Sequence, residues 1–180
     1  SIAVLLAGCG GGGGGDDTTP AATSFPVQQA LTYAYTNGLQ KTLNLTGTAN
    51  SAGTVYPVTG TLTFTLGAAT GTTFNNAAAF KSATTVSGTL PVNGQSELLN
   101  SSGTGYLNTS YAPIAVTTTT SYCIAITPAV FPASVTAGAT GPVVTYNCYT
   151  DSTKSAPIGT VVQTYVTTAG PNNTLNVTLN

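Results

Sequence analysis

Few side chains in this sequence can do chemistry. The cations are Lys41, Lys81 and Lys154, the acids are Asp16, Asp17, Glu97 and Asp151, and Arg, His, Trp and Met do not occur. The thiols are Cys9, Cys123 and Cys148, and nine tyrosines complete the set. Without His, neither a Ser–His nor a Cys–His nucleophile can be assembled. Glu97 and Asp151 are the two carboxylates of the chain beyond the N-terminal stretch. A glycosidase pair would have to use both, but each sits beside turn residues and reads as a solvated loop carboxylate. Asp151-Ser152-Thr153-Lys154 brings Ser152 near Lys154 without the Ser-x-x-Lys spacing of penicillin-binding enzymes, so a charged turn is expected. No Cys/His cluster has zinc spacing and no calcium loop is present. Gly10 to Gly15 contains GxGxxG by default, but "DDTTPAATS" follows where a dinucleotide site needs a helix. These residues predict no catalysis, no metal and no cofactor.

The nine tyrosines are a different kind of lead. Tyr33, Tyr35, Tyr106, Tyr111, Tyr146 and Tyr149 lie on or near predicted strands. Together with abundant Asn and Thr they form a candidate binding surface for carbohydrate or peptide, since Tyr combined with small polar residues is the chemistry of adaptable recognition. Strands also favour Tyr for packing alone, so both readings stay open.

The elements that must position these residues are strands. The chain has 180 residues, 41% of them hydrophobic and 4% charged, against roughly 25% charged in ordinary soluble domains. Disordered segments combine low hydrophobicity with high net charge; here the net charge is −1, so a folded body is expected. Its polar surface must be built from hydroxyls and amides, and 37 threonines supply them. Three scattered lysines cannot neutralise a run of phosphates, which excludes nucleic acid as a partner.

"TLTFTLG" places Leu62, Phe64 and Leu66 on one face and Thr61, Thr63 and Thr65 on the other, the period of a half-buried strand. Leu175, Val177 and Leu179 repeat the pattern. Asn37-Gly38 and Asn93-Gly94 read as hairpin turns, the first joining two strands within "ALTYAYTNGLQKTLNLTG". Further strands fit 105–110, 121–127, 143–150 and 159–167, with a turn over Gly170–Asn173. "NNAAAFKSA", Asn75 to Ala83, admits one or two helical turns. About ten strands predict an all-β antiparallel fold, a sandwich of immunoglobulin-like or similar type rather than a barrel. The β-domain is expected over 25–180. The Pro-rich link from Thr127 to Pro142 could set off a smaller second part after about 128.

The N-terminal stretch "LLAGCGGGGGGDD" has a separate logic. Ile2 to Ala7 are apolar but far short of the ~20 residues that span a bilayer. They read as the end of a signal-peptide apolar region, with the translated N-terminus expected upstream of Ser1. Leu6-Ala7-Gly8-Cys9 resembles the lipobox of bacterial lipoproteins. With the glycine string and the "NCYTDSTK" segment, the chain is similar to lipoproteins of Burkholderia-like proteobacteria, a family with no assigned activity. The resemblance implies removal of residues 1–8 and lipidation of Cys9 with diacylglycerol and an amide-linked acyl group such as palmitate. Stable anchoring takes two or more chains. Gly10, in place of Asp, implies the outer membrane, facing periplasm or cell surface, and residues 9–24 become a lipidated tether. If Cys9 carries lipid, Cys123 and Cys148 form an even pair in an oxidising compartment and are expected to be bridged.

The expected function is therefore a lipid-anchored envelope β-domain with a structural or adhesive role, the alternative being a carbohydrate- or peptide-binding module. Replacing Cys9 by Ala should abolish labelling from radioactive palmitate and release the protein from membranes. A variant that stays membrane-bound, beside a wild type that takes up no label, would exclude the anchor.

Overall fold

The computed structural model describes residues 2–6, 24–51, 53–92, 95–127 and 131–180. It is all-β and antiparallel, with one helix. The elements are β1 (Ile2–Leu6), α1 (Val27–Asn37), β2 (Leu39–Ser51), β3 (Thr54–Leu66), β4 (Thr70–Phe74), β5 (Ala77–Val92), β6 (Gln95–Leu107), β7 (Pro113–Thr118), β8 (Tyr122–Thr127), β9 (Thr140–Tyr149), β10 (Pro157–Ala169) and β11 (Leu175–Leu179). Among the described residues no helix is long and apolar enough to cross a membrane.

All eleven strands belong to one sheet, ordered β1-β11-β10-β9-β8-β7-β6-β5-β3-β2, with β4 paired to β5 off this path. The connections from β2 to β11 form a meander, without the Greek-key crossings of an immunoglobulin sandwich. The facing layers come instead from one sheet that curls over. Residues of β2, β3, β5 and β6 on one side and of β9, β10 and β11 on the other wall a common cavity, with α1 between them. Phe25, Val27, Val135, Val143, Tyr146, Tyr165, Leu175 and Val177 form the buried cluster at the C-terminal half. The sheet runs unbroken past the Pro-rich link, because β8 and β9 on its two sides pair with each other.

The β3 pattern follows its alternation at Thr61 and Phe64, whereas Thr63 and Thr65 are half-buried like the leucines. Phe64 is buried, Leu62 and Leu66 are half-buried, and Thr61 is exposed. Register extends this split across neighbouring strands. Opposite Leu62 lie Leu43 on β2 and Gly88 on β5, and opposite Thr63 lie Thr42 and Ser87. One face is thus Leu/Phe/Val and the other Thr/Ser/Asn. A Cβ on Gly88 would strike the Thr61 carbonyl oxygen and the Leu62 side chain, and one on Gly60 would meet the Thr89 carbonyl oxygen at 2.7 Å and Leu90 at 2.9 Å. Both glycines make room for a leucine on the adjoining strand.

Two expectations need correction. The segment before Gly38 is a helix, not the first arm of a hairpin. Val27, Ala30, Leu31, Ala34 and Tyr35 recur at i, i+3, i+4, i+7 and i+8, which is helical spacing. Gly38, at φ 78° and ψ 169°, ends the helix in a conformation that glycine adopts without a Cβ clash, and the Asn37 side-chain amide donates back to the Tyr33 carbonyl at 2.9 Å. Tyr33 and Tyr35 consequently do not share a strand face. Conversely, Asn75 to Ala83 holds no helical turn. Asn75 and Asn76 have φ of 50° and 64°, the paired left-handed geometry of a two-residue hairpin turn. Ala77 to Lys81 pair with β4 on one side, and tertiary pairing overrides the helix propensity of three alanines.

The Asn93-Gly94 turn, Cys9 and the glycine-rich stretch to Thr23 lie outside the described residues, although β5 and β6 pair up to Val92 opposite Gln95. Ile2–Leu6 lies antiparallel against Leu175–Leu179. These are the residues the lipobox resemblance would remove.

Cys123 and Cys148 face each other across β8 and β9 and are bonded, with Cα atoms 4.0 Å apart and a separation of 25 positions in sequence. Closing a loop of that length is worth about 3 kcal/mol in the chain-entropy description. The unreduced protein should therefore expose neither thiol to alkylation. The Cys123→Ala, Cys148→Ala double variant should lose about 3 kcal/mol in urea denaturation. Two alkylatable thiols at these positions would refute the bridge.

Candidate functional site

The cavity enclosed by the curled sheet has a volume of ≈ 360 Å³. That lies within the ~300–1,000 Å³ typical of small-molecule sites. Leu31, Ala34 and Tyr35 enter it from α1; Leu39, Phe64, Leu66 and Val86 come from β2, β3 and β5; Tyr146, Gln163 and Leu179 come from the opposite wall. Between them β6 contributes Ser101, Ser102, Gly103 and Gly105. The lining is mostly apolar because these are the inward positions of period-two strands. Hydroxyls interrupt it where small residues alternate.

The tyrosines divide by element. Tyr33 points away from the fold and is 70% exposed, whereas Tyr146 is 6% exposed. Tyr35, Tyr106, Tyr111 and Tyr149 are half-buried. The six do not form one exposed surface, because a helix turns Tyr33 and Tyr35 about 200° apart around its axis, and β9 turns Tyr146 inward. Instead, Tyr35, Tyr106 and Tyr146 line the cavity. Tyr111 packs against Tyr35. Its ring stacks on Phe80 at 4.9 Å and on Tyr35 at 6.3 Å. Its backbone has φ 60°, a rare conformation for an aromatic residue. The preceding turn imposes it: the Asn108 side-chain oxygen accepts from the Ser110 and Ala112 amides, each at 2.9 Å. Tyr106 packs on Phe74 at 4.8 Å. Tyr149 lies at the end of β9 opposite Tyr122 and Pro157.

Neither the Tyr35 nor the Tyr146 hydroxyl is hydrogen-bonded to another described residue. Burial pushes the Tyr146 phenol up to about 12, with the nearby Tyr35 adding to the shift. Burial also raises Tyr35. Both phenols are thus neutral across the physiological range, offering a donor and an acceptor each but no proton to exchange. The buried hydroxyl of Ser82, also in the wall, is already committed, donating to the Gly67 carbonyl at 2.6 Å.

The carboxylates lie elsewhere. Glu97 is exposed near the tip of the β5–β6 hairpin and Asp151 is exposed in the β9–β10 turn. Asp151 accepts from the Thr153 amide at 2.8 Å and from the Thr153 hydroxyl. These bonds hold its carboxyl below the ordinary value and give the residue a turn-stabilising role. Lys154 completes the same turn at φ 61°.

Sequence reasoning missed that a cavity exists, because it depends on the curl of the sheet. The helical spacing of Val27, Leu31, Ala34 and Tyr35 was the signal that could have shown one wall. Comparisons of the chain with protein-family models, with curated proteins and with solved structures find no match.

Tyr146 gives a pH test with a definite sign. Its pKa is raised in the folded state, so its contribution to stability is fully present below the unfolded value near 10. It is lost as pH rises from there to about 12. Stability should fall by about 2–3 kcal/mol across that window, and Tyr146→Phe should flatten the fall. An equal fall in both proteins would show that Tyr146 is not responsible.

Proposed function

We propose that this protein is a non-catalytic binding module of the bacterial cell envelope, tethered through a lipidated Cys9, and that the cavity beneath α1 is its ligand site. The observation that carries this reading is the cavity itself. It is lined mostly by apolar side chains from both halves of the sheet, with Tyr35 and Tyr146 among them. A site of that make-up takes a small, largely apolar molecule and orients it with a few hydrogen bonds.

The structural or adhesive reading draws on a different surface, the outer face of β2, β3, β5 and β6. There Thr42, Thr61, Thr85, Ser87, Thr89 and Asn100 are exposed. A hydroxyl-covered face is what a charge-poor sheet needs simply to stay solvated, whereas an enclosed cavity specifies a ligand. We therefore prefer binding.

Gly105 offers a clean way to block the site. It lies in the wall, and a Cβ added there meets only the Ser82 carbonyl oxygen, at 3.9 Å. Gly105→Leu should therefore fold normally while filling the cavity. Wild-type protein should bind 1-dodecanol in a calorimetric titration, and Gly105→Leu should lose that binding with its melting temperature preserved. Absence of binding to the wild type, or equal binding to both proteins, would refute the cavity as a site.

A further inference from the structure

Resting on the cavity as the ligand site, we infer that its ligand is an amphiphile with one unbranched apolar chain and a carboxylate head, and that Lys41 is the residue that receives the head. The register places Lys41 in a defined row. It lies opposite Phe64 on β3, which lies opposite Val86 on β5, which lies opposite Ser101 on β6. Phe64, Val86 and Ser101 all line the cavity. Lys41 is the member of that row on the outermost strand, on the same face, and is exposed. It therefore stands on the rim, one strand from the wall, about 5 Å between Cα atoms from Phe64.

A lysine at this place is unexpected on packing grounds. Its neighbours along the inward face of β2 are Leu39 and Leu43, and the row beyond it reads Leu43, Leu62, Gly88 and Leu99. Apolar surface thus surrounds a charged group that has no ion pair with any described residue. Glu97 is the other charged residue on this face, four residues further out and three strands across. That is about 20 Å away on ordinary sheet spacings, well beyond the ~8 Å screening length at physiological salt. Lys81 is exposed and is not among the residues that line the cavity, and Lys154 belongs to the β9–β10 turn. Among the described residues, the cavity mouth therefore carries one positive charge with no acid beside it, above an apolar interior. An ammonium in that setting selects an anionic head whose tail continues inward. The chain would run past Phe64 and Val86 toward the phenols of Tyr35 and Tyr146. The butyl stem of Lys41 lies over the adjoining leucines while its head stays in water.

Matched titrations of the full chain with dodecanoate and 1-dodecanol, both below their aggregation limits, separate the head from the tail. Wild-type protein should bind dodecanoate about tenfold more tightly than 1-dodecanol at low salt, the size of one charge-assisted contact. Half-molar sodium chloride should narrow that gap. Lys41→Gln should abolish the preference while leaving 1-dodecanol binding unchanged, Lys41→Arg should retain it, and Lys81→Gln should have no effect. Equal binding of the two ligands by the wild type, or a preference that survives in Lys41→Gln, would overturn the role of Lys41 and leave the cavity reading standing. Failure of both ligands to bind would overturn the two together.

Discussion

The anchoring of α1 inside the curled sheet is the constraint on which the rest of the structure depends. Phe25, just before the helix, exchanges two backbone hydrogen bonds with Val135, at 2.8 and 3.0 Å. Val27 is 2% exposed and Leu31 packs against the buried cluster of the C-terminal strands. At the other end, the Tyr35 carbonyl accepts from the Ala69 amide at 2.7 Å, and the Tyr35 ring joins the Tyr111–Phe80 stack. The helix is thus bonded to the C-terminal half through its start and to the N-terminal half through its end. Each apolar side chain it buries contributes about 1.5–3 kcal/mol. Without it, the inward leucines and valines of both halves would face water.

Low charge explains much of the remaining architecture. With 4% charged residues, the outer face is solvated by threonine, serine and asparagine, and threonine also suits the pleated backbone. Away from the cavity, the buried hydroxyls of the described residues are hydrogen-bonded. The Thr167 hydroxyl is shared between the Thr136 and Ala139 carbonyls at 2.7 and 3.0 Å. No charged side chain lines the cavity, so the ammonium of Lys41 at the rim is set against an uncharged interior. The cavity and Lys41 are therefore two parts of one arrangement: an uncharged chamber in which shape and apolar contact govern, and one charge that gives it a direction.

Much of the fold was legible because strands announce themselves by period two. The Leu62/Phe64/Leu66 face, the Leu175/Val177 face and the Asn-rich turn before β11 follow from local pattern and turn chemistry. The pairing of Cys123 with Cys148 was expected on the condition, implied by the lipobox resemblance, that Cys9 carries lipid. The two errors of element type share a cause. In Val27–Asn37, the alternating tyrosines and the Asn-Gly pair imitated a strand and hairpin, while the i, i+3, i+4 spacing of Val27, Ala30 and Leu31 was the stronger signal. In Asn75–Ala83, alanine content suggested a helix where an Asn-Asn turn and a waiting strand partner decided otherwise.

The sequence by itself determined the class of the fold, the scarcity of charge on its surface and the lipobox-like segment around Cys9, because each of these is written in composition or in neighbours a few residues apart. Only the tertiary structure decided that the sheet is continuous and curled, that Tyr35 and Tyr146 share an interior, and that Lys41 stands at its rim. Those juxtapositions join residues from strands far apart in the chain. Strand register and sheet curvature set them, and neither is contained in any local stretch of sequence.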